Sequence, residues 1–144
     1  MASAARDTRQ DQTPSRAPLD RLTPRLTNEF KRCWPWLHAS MCEYFETHTR
    51  EQVFQRIYDG RAHLWPSENC AVLGEIINYP IGIRGFNYWL QGPKLDELTA
   101  MHDGIEAWAK ERGCMVATGL GRPGWARAMH GNWQKGPSTR LKWL

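Results

Sequence analysis

The sequence lacks any run approaching the roughly 18 consecutive apolar residues that a membrane-spanning helix requires, so no such helix is expected. Its opening stretch, MASAARDTRQDQTPSR, has no apolar segment, and no secretory signal is expected there. Cysteine is sparse and dispersed: Cys33, Cys42, Cys70 and Cys114 form no CxxC and no CxxH. Neither a disulfide framework nor a metal site is therefore expected, and buried free thiols are the preferred reading. The five histidines, His38, His48, His63, His102 and His130, are equally scattered. Apolar residues are not lacking: 41% of 144 residues are hydrophobic, enough for a core in a single domain and too many for a wholly disordered chain.

Charge is uneven along the chain. Residues 1–32 carry 7 basic and 4 acidic side chains, residues 33–109 carry 5 and 10, and residues 110–144 carry 7 and 1. A basic end after an acidic middle is compatible with a nucleic-acid or phosphate surface, although a solvated rim is the simpler explanation. Eight tryptophans in so short a chain imply that several are exposed, and tryptophan is a residue that anchors protein interfaces. Trp34, Trp36, Trp65, Trp133 and Trp143 are the candidates.

Residues 1–27 read as an extended arm: Pro14, Pro18 and Pro24 interrupt alternating charge, and such a segment buries too little to offset its ordering entropy. The remainder, 28–144, reads as one domain. A first helix is expected over Asn28–Phe45, broken or restarted at Pro35, with Trp36, Leu37, Met41, Tyr44 and Phe45 on its apolar face. A second starts at Thr49, which forms a capping box with Gln52. It buries Val53, Phe54, Ile57 and Tyr58 and stops at Gly60.

Three strands follow, at His63–Trp65, Cys70–Tyr79 and Ile83–Leu90, as an antiparallel meander. A long helix over Lys94–Glu111 carries Leu95, Leu98, Met101, His102, Ile105 and Trp108 at helical spacing and ends at Gly113. CMVAT at 114–118 is a short buried strand, reached by a right-handed parallel crossover. A helix over Gly121–His130 and a strand over about Ser138–Leu144 close the chain, which gives an α/β protein with a mixed sheet.

This order of elements, two helices, a three-strand meander, then helix, strand, helix and strand, resembles the GNAT superfamily of acetyl-coenzyme A-dependent N-acetyltransferases. The resemblance is sharpest in EAWAKERGCMVATGLGRPGWARAMHGNW. Within it, AWAKERGC and GRPGWARAM also resemble small uncharacterised proteins of tailed bacteriophages. The resemblance implies a cofactor loop of pattern Q/R-x-x-G-x-G/A after the third strand, where backbone N–H groups and a helix N-terminus hold the pyrophosphate.

Here that run is Leu90-Gln91-Gly92-Pro93-Lys94-Leu95. Lys94 stands where the pattern has glycine, and Pro93 lacks an N–H. If acetyl-coenzyme A binds, Gln91, Gly92 and Lys94 are the residues to hold it. The family's tyrosine general acid has no counterpart in GRPGWARAMHG, where His130 is the one proton carrier. Glu75, a carboxylate amid apolar neighbours, is the candidate general base. Pairing with Arg84 on the adjacent strand is the competing reading, and Gly74 suggests a bulge beside it. Asn87 and Tyr88 are placed to line the same cleft. Arg122 at the glycine-rich GRPGW helix start suits an anion, but also an ordinary helix start.

The expectation is thus a GNAT-like fold that has lost its cofactor and serves as a structural or accessory protein of a bacteriophage, located in the virion or host cytoplasm. It would contact neighbouring subunits through the arm and exposed tryptophans. A divergent acetyltransferase is the alternative. A nucleic-acid-binding accessory using Lys135, Arg140, Lys142, Trp133 and Trp143 is the third.

Overall fold

A computed structural model describes residues 17–119, 133–134, 136 and 141–144. Among them the chain forms an α/β domain in three layers. Helix α1 (Arg25–Cys42) and helix α2 (Arg50–Tyr58) cover one face of a four-stranded sheet, and α3 (Leu95–Glu111) covers the other. The strands are β1 (His63–Pro66), β2 (Ala71–Asn78), β3 (Arg84–Gly92) and β4 (Cys114–Gly119), lying in the order β1-β2-β3-β4. β1, β2 and β3 pair antiparallel and β4 joins β3 in parallel. This is the expected mixed sheet, with its crossover made by α3. Among the described residues no helix is long and apolar enough to cross a membrane.

α1 differs from the expected helix. It begins at Arg25 and runs through Pro35 without a break. Pro35 frees only the carbonyl of Lys31, four residues earlier, and both residues are exposed, so the break falls on the solvent side of the helix. The buried stripe is Leu26, Phe30, Cys33, Leu37 and Met41: it shares Leu37 and Met41 with the expected face but begins ten residues before Trp36 and ends at Met41, short of Tyr44 and Phe45. Tyr44 lies beyond the helix and is exposed.

The arm also ends earlier than residue 27. The Leu19 N–H donates to the Leu64 carbonyl at 2.7 Å, Leu19 packs on the core, and Leu26 belongs to it. α2 has the expected capping box: Gln52 N–H donates to Thr49 Oγ1 and Thr49 N–H donates to Gln52 Oε1. Val53 and Ile57 are buried, but Tyr58 is half-exposed because it sits at the last helical position.

The sheet divides two apolar clusters. Leu64, Ala71, Leu73 and Leu90 face α1 and α2, whereas Trp65, Val72, Phe86 and Tyr88 face α3. The β2–β3 ladder carries the expected bulge, and the extra residue comes from β3. Leu73 pairs with Leu90 and Gly74 with Tyr88, which leaves Trp89 unpaired between them. Gly74 has a different duty. A Cβ there would overlap Cζ of the buried Phe86 ring, closer than any real contact. Gly74→Ala should therefore lose about 1–3 kcal/mol through forced movement of Phe86, read from urea denaturation.

β4 was expected to be buried, yet Met115 and Val116 are exposed. Among the described residues β4 pairs only with β3, so its outer side chains have no strand beside them. Residues 141–144 belong to no strand, contrary to the closing strand expected there. Residues 137–140 and the helix expected over Gly121–His130 lie outside the described residues.

Candidate functional site

The end of β3 and the start of α3 hold the residues assigned to a cofactor. Gln91 and Gly92 do not form a loop: both lie within β3, where Gly92 pairs with Ala71 and Gln91 with Val72. Gln91 is buried. Its backbone N–H donates to Ser40 Oγ on α1 at 3.1 Å, and its side-chain Oε1 accepts from His102 Nε2 on α3 at 3.1 Å. Lys94 is the residue before α3 and gives the helix no side-chain cap.

The first turn of α3 carries Asp96 and Glu97. Glu97 accepts from Ser67 Oγ and, at 3.1 Å, from the Asn69 N–H. Burial alone would raise its pKa, but these hydrogen bonds outweigh it and hold the carboxyl below its ordinary value. The positive end of the α3 dipole is thus answered by two carboxylates of its own helix.

His102 sits on the apolar stripe of α3, as expected, and is buried. Its ring packs on Tyr88 with centroids 4.5 Å apart. Burial lowers its pKa to about 4, so the imidazole is neutral at pH 7 and acts as a fixed donor to Gln91. The Tyr88 hydroxyl donates to Glu106 Oε2 at 2.7 Å, and burial followed by that bond to a carboxylate pushes the phenol well up from its ordinary value. Tyr88 therefore faces α3, away from Asn87 and Glu75, and does not share their cleft.

Glu75 lies on the opposite face. It does not pair with Arg84, whose guanidinium instead donates to Asn78 Oδ1 and the Arg112 carbonyl. Arg56 of α2 holds Glu75 Oε2 at 2.8 Å, and Asn87 Nδ2 donates to Oε1 at 3.3 Å. Thr118 of β4 extends the chain by donating to Asn87 Oδ1 at 3.0 Å.

Trp89, the bulge residue, supports the same cluster. Its ring lies under the Arg56 guanidinium at 5.4 Å and against the His48 ring at 4.9 Å. Thr47, His48, Gln52, Gln55, Arg56 and Arg61 then line an open polar cleft of about 310 Å³. Both oxygens of Glu75 are engaged, Oε2 by the Arg56 guanidinium and Oε1 by the Asn87 amide, so Glu75 anchors Arg56 over the sheet. Sequence reading missed Arg56 and Trp89. Arg56 follows Val53 by three residues on α2, which puts it beside the buried stripe and over the sheet.

The five candidate tryptophans separate into three groups. Trp143 is 74% exposed, while Trp34, Trp36 and Trp133 are half-buried against the core. Trp65 is buried rather than exposed as expected: it is 2% exposed, because β1 turns it toward α3, where Phe86 and Trp108 meet it edge-on. His130, Arg122, Lys135 and Arg140 lie outside the described residues. Compared with known proteins, the chain matches no family model, no curated protein and no solved structure.

Proposed function

We propose that this chain is a GNAT-like domain without a bound cofactor, serving as a non-catalytic accessory protein of a tailed-bacteriophage assembly. One observation carries the non-catalytic reading. The segment that would cradle a pyrophosphate is committed to the protein's own interior: the Gln91 N–H and side chain are both taken, Gly92 is paired within the sheet, and Pro93 has no N–H. Asp96 and Glu97 then face the helix start with negative charge, which repels a phosphate where working cradles attract one. The order of helices and strands supports the GNAT-like reading, and the phrases AWAKERGC and GRPGWARAM support the phage attribution. Exposed apolar side chains, among them Leu22, Ile81, Met115 and Trp143, support contact with other subunits.

Calorimetric titration with acetyl-coenzyme A tests the cofactor. No heat and no rise in melting temperature are expected up to millimolar ligand. Micromolar binding with a rising melting temperature would overturn the reading in favour of the acetyltransferase. The arm is tested by truncation, which must stop before Leu19 and Leu26 because both pack on the core. Removal of residues 1–16 should leave the melting temperature unchanged while the protein fails to enter particles. Equal incorporation would remove the arm from the proposal.

A further inference from the structure

We propose that His38, Cys42 and Glu46 form a binding site for a divalent cation of the zinc class at the C-terminal end of α1. Nε2 of His38 lies 3.4 Å from Sγ of Cys42 and 3.3 Å from Oε2 of Glu46. All three donor atoms fall within 4.8 Å of one another. Tetrahedral zinc, with Zn–S near 2.3 Å and Zn–N and Zn–O near 2.0 Å, separates sulfur from nitrogen by about 3.5 Å and nitrogen from oxygen by about 3.3 Å. The two contacts made by His38 Nε2 already have these spans.

The local structure explains the convergence. His38 and Cys42 are four residues apart on α1, so they project from the same face one turn apart. Glu46 comes from the segment just beyond the helix and closes the third side. The Trp34 ring packs on the His38 imidazole, with centroids 5.3 Å apart, and limits its rotation. One thiol, one imidazole and one carboxylate make a borderline-soft donor set. Calcium and magnesium prefer all-oxygen sites, whereas zinc accepts sulfur, nitrogen and oxygen together. Cys42 is the one exposed cysteine, the other three being buried, and an ion can reach it from solvent. Three protein ligands leave the fourth tetrahedral position to water.

Binding would release the Cys42 thiol proton and tie the loop after α1 to the helix, so affinity should fall in acid. This goes beyond the accessory role proposed above and does not depend on it. The rival arrangement is a hydrogen-bonded trio that holds no ion.

Titration of the full-length reduced protein with Co(II) separates the two. A single equivalent is expected to produce a thiolate-to-cobalt charge-transfer band, which Zn(II) then bleaches. Cys42→Ser should abolish that band. His38→Gln and Glu46→Gln should weaken binding about tenfold or more, as losses around a metal do. Glu46 lies outside α1, so its variant reports on the site without disturbing the helix. His48→Gln, nearby but outside the trio, should bind Co(II) as the parent does. A thiolate band that survives Cys42→Ser, or its absence from the parent protein at millimolar Co(II), would overturn the site.

Discussion

Trp65→Ala is expected to lower unfolding free energy by about 3–5 kcal/mol, the range for deleting a buried tryptophan. Domains of this size are held by only about 5–15 kcal/mol in total, so the variant will approach the limit of folding at 37 °C. The argument is geometric. Trp65 is the largest fully buried side chain among the described residues, and its ring stands edge-on to Phe86 at 5.6 Å and to Trp108 at 5.1 Å. Its removal opens a void bounded by rings fixed to β3 and α3, neither of which can close onto β1.

Trp143→Ala is the contrast. That ring is exposed and meets Phe45 edge-on at 5.2 Å, so its loss should change stability by less than about 1 kcal/mol. Urea denaturation of both variants decides the matter. A Trp65→Ala protein within 1 kcal/mol of the parent would mean that the sheet is not packed as described.

The second large effect is a dependence on pH set by His102. Its pKa falls from 6.5 to about 4 on folding because it is buried. Between those two values the unfolded chain binds a proton that the folded chain refuses. The stabilisation is therefore complete above about pH 6.5 and is lost as pH falls toward 4, a total of about 3 kcal/mol. Carboxylates titrate across the lower part of this window as well, and Asp103 beside the ring opposes the shift.

The comparison must accordingly be with His102→Gln, which keeps an amide to face Gln91 and does not titrate. The stability difference between parent and variant should move by about 3 kcal/mol from pH 6.5 to pH 4, with the parent falling faster. A constant difference across that range would show that His102 protonates as freely in the fold as outside it.

Local chemistry made part of this structure legible in the sequence. Thr49 and Gln52 announce α2 through contacts three residues apart, and Gly60 and Gly113 stop helices with positive φ values of 77° and 85°. The spacing of Leu98, Met101, Ile105 and Trp108 fixes the buried face of α3 in the same way. What the sequence hid depends on partners far along the chain. Arg56 rather than Arg84 holds Glu75 because α2 lies over that face of the sheet, and nothing within either strand says so.

Trp65 is buried rather than exposed because helices cover both faces of the sheet, so Leu64 and Trp65 are hidden on opposite sides of β1, and four residues of sequence do not show that second cover. Pro35 was misread because its effect depends on which side of the helix the break falls. The trio proposed as a cation site at the end of α1 has a spacing that close paired ligands do not announce. Metal ligands are usually recognised by loop spacings such as CxxC, whereas a helix brings residues together at intervals of four.

The bulge in β3 bears on how this chain tolerates changes in length. Phe86, Tyr88 and Gln91 all serve the α3 side, and Asn87, Trp89 and Leu90 the other. Parity therefore switches once along the strand, between Tyr88 and Leu90. Deleting Trp89 would leave an unbroken alternation with every remaining side chain on its present face. Deleting a residue of the strand other than Trp89 or its same-facing neighbour Leu90 would invert one flank and carry apolar groups to the wrong layer. The ladder has no need of Trp89, and what its ring does touch is Arg56 and His48, at the wall of the polar cleft.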